Sequence, residues 1–432
     1  MTSVSSFPRK SVDRFITTLV IGAGQAGLSM SHCLTKAGID HALLERGEVA
    51  NSWKTERWDS LRLLSPNWQT RLAGYQYQGD NPDGFMSGGE FTEYLQNYAQ
   101  TLAAPIYCGV EVLQVSSTQN GYRVVTNQGD WQCRALVIAT GACSKPVIPK
   151  LAEQLPDYIH SLTPAAYKNP EQLPEGGVLV VGASASGLQL ASEIQKSGRQ
   201  VTIATGEQVR MPRRYRGRDM QWWLDQMGLL ADRYDEVEDL ERLRRLPSAQ
   251  LVGSDTYANL DLNSVQAEGV EVVGRLAFIH DNKMQFSGSL ANVCKMADLK
   301  MRRLLKRVDE FIATQDYVND IPPPDVPADT CTAESPKLEL DLRRDEIKTV
   351  IWATGFRPDY DWLKVPVLDA KGRLKHDGGV VNNPGLYVLG LPFMRRRNSQ
   401  FIDGVAHDAE ELAQHMSAYL QNHWQANQFA IA

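Results

Sequence analysis

Apolar and polar positions along the chain follow one grammar that occurs twice. From Phe15 to Gly27 the sequence reads FITTLVIGAGQAG. A continuous run rich in Ile, Leu and Val predicts a strand buried on both faces, as in parallel sheets, and it drives straight into a glycine-rich turn. Leu28–Gly38 then predicts a helix stopped by a glycine C-cap, and His41–Leu44 the next strand, closing at Glu45. This is a βαβ unit. The same order returns with Gly177–Gly187 (GVLVVGASASG), a helix over Leu188–Ser197, a cap at Gly198 and a strand over Val201–Thr205. The two turns begin at Gly22 and Gly182, a repeat that suggests two dinucleotide-binding domains rather than a solenoid.

Between the units, Tyr122–Val125 and Trp131–Thr140 predict strands of a small antiparallel sheet that feeds back into the first domain. Residues Gly206–Glu310 are richer in charge, with amphipathic helices expected at Met220–Leu230 and Leu299–Phe311. Ile321–Thr330 contains four prolines and cannot continue a helix, so it reads as a linker or surface loop. Thr349–Gly355 and Gly385–Gly390 predict further strands, and Val405 to about Trp424 a closing helix.

The turns carry the first chemistry. Gly22, Gly24 and Gly27 stand at G-x-G-x-x-G spacing, with Gln25 and Ala26 inside the turn. Such a turn lets a pyrophosphate approach the backbone in front of a helix N-terminus, whose free N–H groups and dipole favour an anion. Glu45, 23 residues after Gly22, is placed to accept hydrogen bonds from an unphosphorylated ribose diol, and Arg46 follows it. The second turn is Gly182, Ser184, Gly187, with Ser186 inside it, and its ribose position is Thr205 rather than an acid. Arg210, Arg213, Arg214 and Arg216 follow, either as readers of a 2′-phosphate or as a solvated basic face. Arg213 and Arg214 are carried as coenzyme-binding candidates. An acid at the first ribose fits FAD, and a basic setting at the second fits NADPH.

The expected fold class is therefore α/β, with two Rossmann-like three-layer domains, the second inserted in the first. Residues 1–170 would form the first part of an FAD-binding domain. Residues 171–346 would form an NADPH-binding domain with a helical insertion, and 347–432 the remainder of the FAD domain.

Composition narrows the alternatives. Of 432 residues, 43% are apolar and 22% charged, which suits a globular chain with a sizeable core. The net charge of −6 gives no electrostatic reason to expect a nucleic-acid partner. No apolar run approaches the roughly 18–20 residues of a membrane span. Met1–Arg14 is polar and lacks the core of a secretory signal, so a cytoplasmic location is the default expectation. The six cysteines form no CxxC pair and the eight histidines no HExxH or HxxxH spacing, so neither a redox dithiol nor a metal site is expected.

Taken together, several segments resemble one group. GAGQAG at 22–27, LERGEVANSWKTERWDSLRLLSP at 44–66, ATG at 139–141, VGASASG at 181–187, WATGFRPDY at 352–360 and GLYVLGLP at 385–392 are similar to flavin-containing monooxygenases with two dinucleotide domains. The likeness is greatest to a bacterial branch linked to cation transport and to plant YUCCA-like enzymes. The resemblance implies that Ser52, Trp53, Arg57 and Trp58 lie near the isoalloxazine. It also implies that Thr140 and Gly141 pass the flavin on leaving the first domain, and that Thr354 and Gly355 mark the return. By analogy with related two-domain flavoproteins, Asp403 and Gly404 lie beside the flavin before the last helix. Arg395, Arg396 and Arg397 either line the flavin site or are solvated.

The chain also departs from the family pattern. F-x-G-x-x-x-H-S-x-x-Y should surround His160 and Ser161, but Gln154 and Pro156 replace the Phe and Gly, and Tyr167 comes three residues late. The asparagine that stabilises oxygenated flavin in several members falls at Leu64, with Ser65 and Asn67 the candidate substitutes. His160 is expected to be structural, and the Trp222–Trp223 pair a buried helix face.

The resemblance implies an enzyme that uses FAD, NADPH and O2 to oxygenate a small organic nucleophile at N, S or carbonyl carbon through a C4a-(hydro)peroxyflavin. No side-chain general base is required, which agrees with the lack of a Ser–His–Asp or paired-carboxylate constellation. The alternatives are an NADPH oxidase, another NADPH-dependent flavin reductase, or a non-catalytic nucleotide-binding regulator. The expected partner is a small-molecule substrate, and a homodimer is the assembly considered.

Overall fold

The computed structural model describes residues 14–315, 321–343 and 347–429. Most of Met1–Arg14 therefore lies outside the described residues. Both βαβ units form where the apolar runs place them. Arg14–Ile21 is a strand, Gln25–Lys36 a helix and His41–Glu45 a strand buried at every position. Gly177–Val181, Ala185–Lys196 and Val201–Ala204 repeat the order. Each helix starts three residues before its predicted first residue, because the turn's own Gln25–Gly27 and Ala185–Gly187 already take helical geometry.

Two sheets hold the core. The first runs His376–Asp377, Val380–Val381, Leu386–Val388, Gly129–Ile138, Arg14–Ile21, His41–Glu45, Ile106–Cys108, with Gly121–Thr126 and Val112–Thr118 folding antiparallel from the long Gly129–Ile138 strand. Its central strands are parallel, Leu19 opposite both Ala42 and Leu136. The second runs His160–Leu162, Ile347–Trp352, Gly177–Val181, Val201–Ala204, Glu271–Val273, all parallel. His160–Leu162 and Ile347–Trp352 thus belong to the second sheet, although the domain boundaries expected from the sequence put both in the first domain. Each is drawn there by the ladder between them, His160 opposite Thr349.

The two crossings between sheets are stitched side by side. Lys145–Pro146 pairs antiparallel with Phe356–Arg357, and Val147 N–H donates to Gly355 O at 2.9 Å. Trp53 packs against the apolar cores of both units, while Trp58 belongs to the second.

The insertion after Thr205 folds more extensively than its pattern suggested. Met220–Gln226 is a short helix with fully buried Trp223, whose Nε1 donates to Tyr215 O at 2.8 Å. The second amphipathic stretch is longer, Leu290–Ala313, burying Met301, Leu305, Val308 and Ile312 on one face. Val405–Phe429 is the closing helix. Among the described residues no helix is long and apolar enough to cross a membrane.

Candidate functional site

At the first turn the glycines answer different steric demands. Gly22 has φ +107°, and a Cβ there would meet Ala139 O at 2.6 Å. A Cβ on Gly27 would lie 1.9 Å from Gly22 O, so helix and turn touch backbone to backbone. Gly24 has an ordinary φ of −85° and no atom within 4 Å of an added Cβ. It leaves an open stretch of backbone of the kind that admits a pyrophosphate. The second turn repeats this geometry, with Ser184 at φ −82° and ψ −177° where Gly24 has −85° and −170°. The Ser184 hydroxyl does not cap its helix.

Glu45 closes the second strand, buried, with Oε2 accepting from Ala23 N–H at 2.9 Å and Oε1 from Gly47 N–H at 3.0 Å. Two backbone donors fix the carboxylate, and each oxygen keeps a further lone pair for a ribose diol. Arg46 pairs with Glu56. Trp53 Nε1 donates to Gln25 Oε1 at 3.0 Å, its ring lies edge-on to Phe91, and the Arg57 guanidinium sits 5.0 Å from its centre. These bonds hold the 51–58 segment over the first turn.

A single cavity of about 570 Å³ joins these parts. Its wall includes Gly22, Gly24, Gln25, Ala26, Glu45, Arg46, Ser52, Trp53, Trp58, Thr140 and Gly141. From the second unit come Ala185 and Ser186 at the helix start and Gln189 one turn later. The first glycine turn and the start of the second unit's helix therefore face one space.

Several expected residues lie elsewhere. Asn67 is buried outside the lining, its Nδ2 donating to Asn81 O and its Oδ1 accepting from Met86 N–H, both at 2.9 Å. Its amide shapes the loop instead of reaching a cofactor. Ser65 is also outside the lining, whereas Leu64 is part of it. Thr354 and Gly355 give way to Phe356 as the lining residue of the return crossing, since Thr354 Oγ1 is spent on Val147 O. Asp403 is clasped by Arg71, at 2.6 Å from Nε and 2.9 Å from Nη2, and its neighbours Phe401 and Val405 line the cavity in its place.

The arginines are corrected most. Arg213 is fully buried, donating to Asp219 Oδ2 at 2.8 Å and Leu64 O at 2.6 Å, so its fork is not open to a phosphate. Arg210 is buried between Asp261 and Asp298, and Arg216 pairs with Asp309. Arg214 is exposed, donates to Gly217 O at 2.7 Å and lies over the Tyr257 ring. Arg395 and Arg396 bind Glu411, and Arg396 also binds the fully buried Asp408; Arg397 binds Asp232. Gly182, Ser184, Gly187 and Thr205 are not among the lining residues, and the Thr205 hydroxyl is buried and unpartnered.

The pattern missed Leu61, Leu63, Gln189, Ser248, Trp362 and Phe401, all of which line the cavity. Gln189 carried a usable signal, since it stands four residues after Ala185 on the same helix and so shares its face. Ser248 carried none.

A model of pyridine nucleotide-disulphide oxidoreductases matches residues 19–226. A CzcO-like oxidoreductase of Geobacillus kaustophilus (strain HTA426) is 31% identical over 404 residues, covering 93% of this chain and 98% of that protein. The chain belongs to the CzcO-like oxidoreductases. Indole-3-pyruvate monooxygenase YUCCA6 of Arabidopsis thaliana is 29% identical over 417 residues, 92% of this chain and 89% of that protein. The solved flavin-containing monooxygenase of Stenotrophomonas maltophilia shares the fold, with a TM-score of 0.66 at 20% identity over 94% of this chain and 99% of that one. As a member of this family the chain is an oxidoreductase, and its fold is that of proteins with two dinucleotide-binding units.

Proposed function

We propose that the protein is an FAD- and NADPH-dependent monooxygenase acting on a small organic nucleophile. The observation that carries this reading is the shared cavity, with Gly24 and Glu45 on one wall and Ala185 and Ser186 on another. The residues fit the flavin: Gly24 leaves its backbone bare, and Glu45 holds a fixed carboxylate at the end of the second strand. When bound, the flavin supplies the redox chemistry, taking a hydride from NADPH and passing electrons to O2.

The chain's own contribution is position and exclusion of water. Gly22–Ala26 and the N-terminus of Gln25–Lys36 hold the pyrophosphate, and Glu45 holds the ribose diol. Thr140 and Gly141 bound the reacting end, where Trp58, Leu61, Leu63 and Leu64 make an apolar wall. Ala185 and Ser186 offer the second helix N-terminus to the NADPH pyrophosphate. Arg214 is the member of the predicted pair with an exposed side chain, though its Nη2 already donates to Gly217 O.

One observation favours a second outcome, release of hydrogen peroxide. The position matching the family's flavin-stabilising asparagine is Leu64, and Asn67 has its amide spent on Met86 and Asn81. The spectrum of purified protein before and after anaerobic NADPH tests flavin content and reductant together. Aeration with amine, sulfide and ketone nucleophiles, with peroxide counted per NADPH, then separates oxygenation from oxidase activity. Protein that binds FAD and is not bleached by NADPH would overturn the reading.

A further inference from the structure

Arg210, Arg213 and Arg216, three of the four arginines that follow Thr205, are held by carboxylates. The second sheet brings another arginine to the same place. Glu271–Val273 is the parallel neighbour of Val201–Ala204, with Ala204 opposite Val273, and Thr205 N–H donates to Val273 O at 3.0 Å. The chain leaving Val273 therefore emerges beside the chain leaving Ala204, at the carboxyl ends of the strands, where open α/β sheets take their ligands.

Two residues after Val273 stands Arg275. A Cβ built on Gly206 would lie 3.8 Å from Cδ and 3.9 Å from Cγ of Arg275, so its stem crosses the backbone immediately after Thr205. The residue is exposed, and among the described residues no hydrogen bond or ion pair engages its guanidinium. The local field suits an anion. Glu207, two residues after Thr205, is bonded by Lys300 at 3.1 Å. Arg275 O accepts from Ser287 N–H at 2.8 Å, and the helix Leu290–Ala313 starts three residues later with no acidic residue in its first turn and no side-chain cap.

We propose that Arg275 reads the 2′-phosphate of the coenzyme's adenosine ribose and thereby sets preference for NADPH over NADH. This rests on the reading above, that the second turn takes a nicotinamide dinucleotide. A free guanidinium offers a planar fork of donors to a phosphate, and Thr205 puts no carboxylate there to hold a bare diol. Arg275 is a specificity residue at the far end of the coenzyme from the reacting atoms.

The test uses the full-length FAD-loaded protein and, as probes, 2′,5′-ADP and 5′-AMP, whose binding is measured by calorimetry. The wild type should prefer 2′,5′-ADP by about tenfold or more. Arg275→Ala should weaken 2′,5′-ADP roughly 10- to 100-fold and leave 5′-AMP unchanged. Arg275→Lys, which keeps the charge, should retain part of the preference. In flavin reduction, Arg275→Ala should raise the KM for NADPH without changing that for NADH or kcat. Unchanged 2′,5′-ADP affinity in Arg275→Ala, or its loss in Arg214→Ala instead, overturns the assignment while wild-type reduction by NADPH still stands. A wild type that is reduced by neither coenzyme and binds neither probe removes the underlying reading as well.

Discussion

The Glu45 carboxylate accepts a hydrogen bond from the Ala23 backbone N–H at 2.9 Å, tying the end of the second strand to the first glycine turn. The same side chain braces the turn and, in the proposed reading, accepts from the ribose. Glu45→Gln keeps an oxygen for Ala23 and should retain FAD better than Glu45→Ala, which loses brace and acceptor together. Loss of hydrogen bonds to a charged group sets the expected weakening at roughly 10- to 100-fold for the alanine variant. Flavin-to-protein absorbance ratios after dialysis check the order.

Gly24 and Gly27 should fail in different ways. Alanine at Gly24 meets no atom within 4 Å and adopts the φ of −85° without strain. Gly24→Ala should therefore fold normally and lose FAD affinity, because the methyl group occupies the space meant for the pyrophosphate. Gly27→Ala forces a Cβ to 1.9 Å from Gly22 O and should cost roughly 1–3 kcal/mol or more in stability even without cofactor. Thermal melts of flavin-stripped protein separate the two.

Arg396 donates to Asp408, which is fully buried on the closing helix, at 2.9 Å. Burial raises the carboxyl pKa of Asp408, and the Arg396 and Arg395 charges oppose that rise. Arg396→Ala strands a buried carboxylate and should destabilise by about 3–5 kcal/mol at neutral pH. Adding Asp408→Asn should recover part of the loss, since the stranded charge is then gone. Denaturant unfolding of the single and double variants measures both.

His376 lines a second cavity and is held neutral: burial, with Arg244 adding repulsion, lowers its pKa from 6.5 to about 4. The neutral ring accepts from Gly379 N–H through Nδ1 at 3.2 Å. Between pH 6.5 and about 4 the unfolded chain takes a proton that the folded one refuses, so stability should fall as pH drops through that window. At its steepest this single group contributes about 1.4 kcal/mol per pH unit. His376→Gln, which keeps an acceptor for Gly379, should flatten that part of the curve of melting temperature against pH.

Much of the fold was legible in the residues. The two buried parallel strands, their glycine turns and Glu45 could be read because each depends on neighbours within some twenty-five positions: apolar runs make strands, and a crossing of helix and turn admits no side chain. Trp223 was likewise legible as core. What could not be read was the sheet to which a short strand such as His160–Leu162 attaches, because its ladder partner Thr349 lies far along the chain.

The sequence alone determined that two glycine turns of the dinucleotide-binding type exist, with an acid, Glu45, ending the strand after the first and Thr205 standing at the matching place after the second. Tertiary structure decided which polar groups remain free to act. A guanidinium, an amide or a carboxylate is consumed by whatever partner folding brings to it: Asp219 for Arg213, Asn81 and Met86 for Asn67, Arg71 for Asp403. Those partners come from distant segments or from short-range turns that leave no periodic trace. Steric rules are local and can be read along a chain, whereas the pairing of charges is settled by three-dimensional proximity.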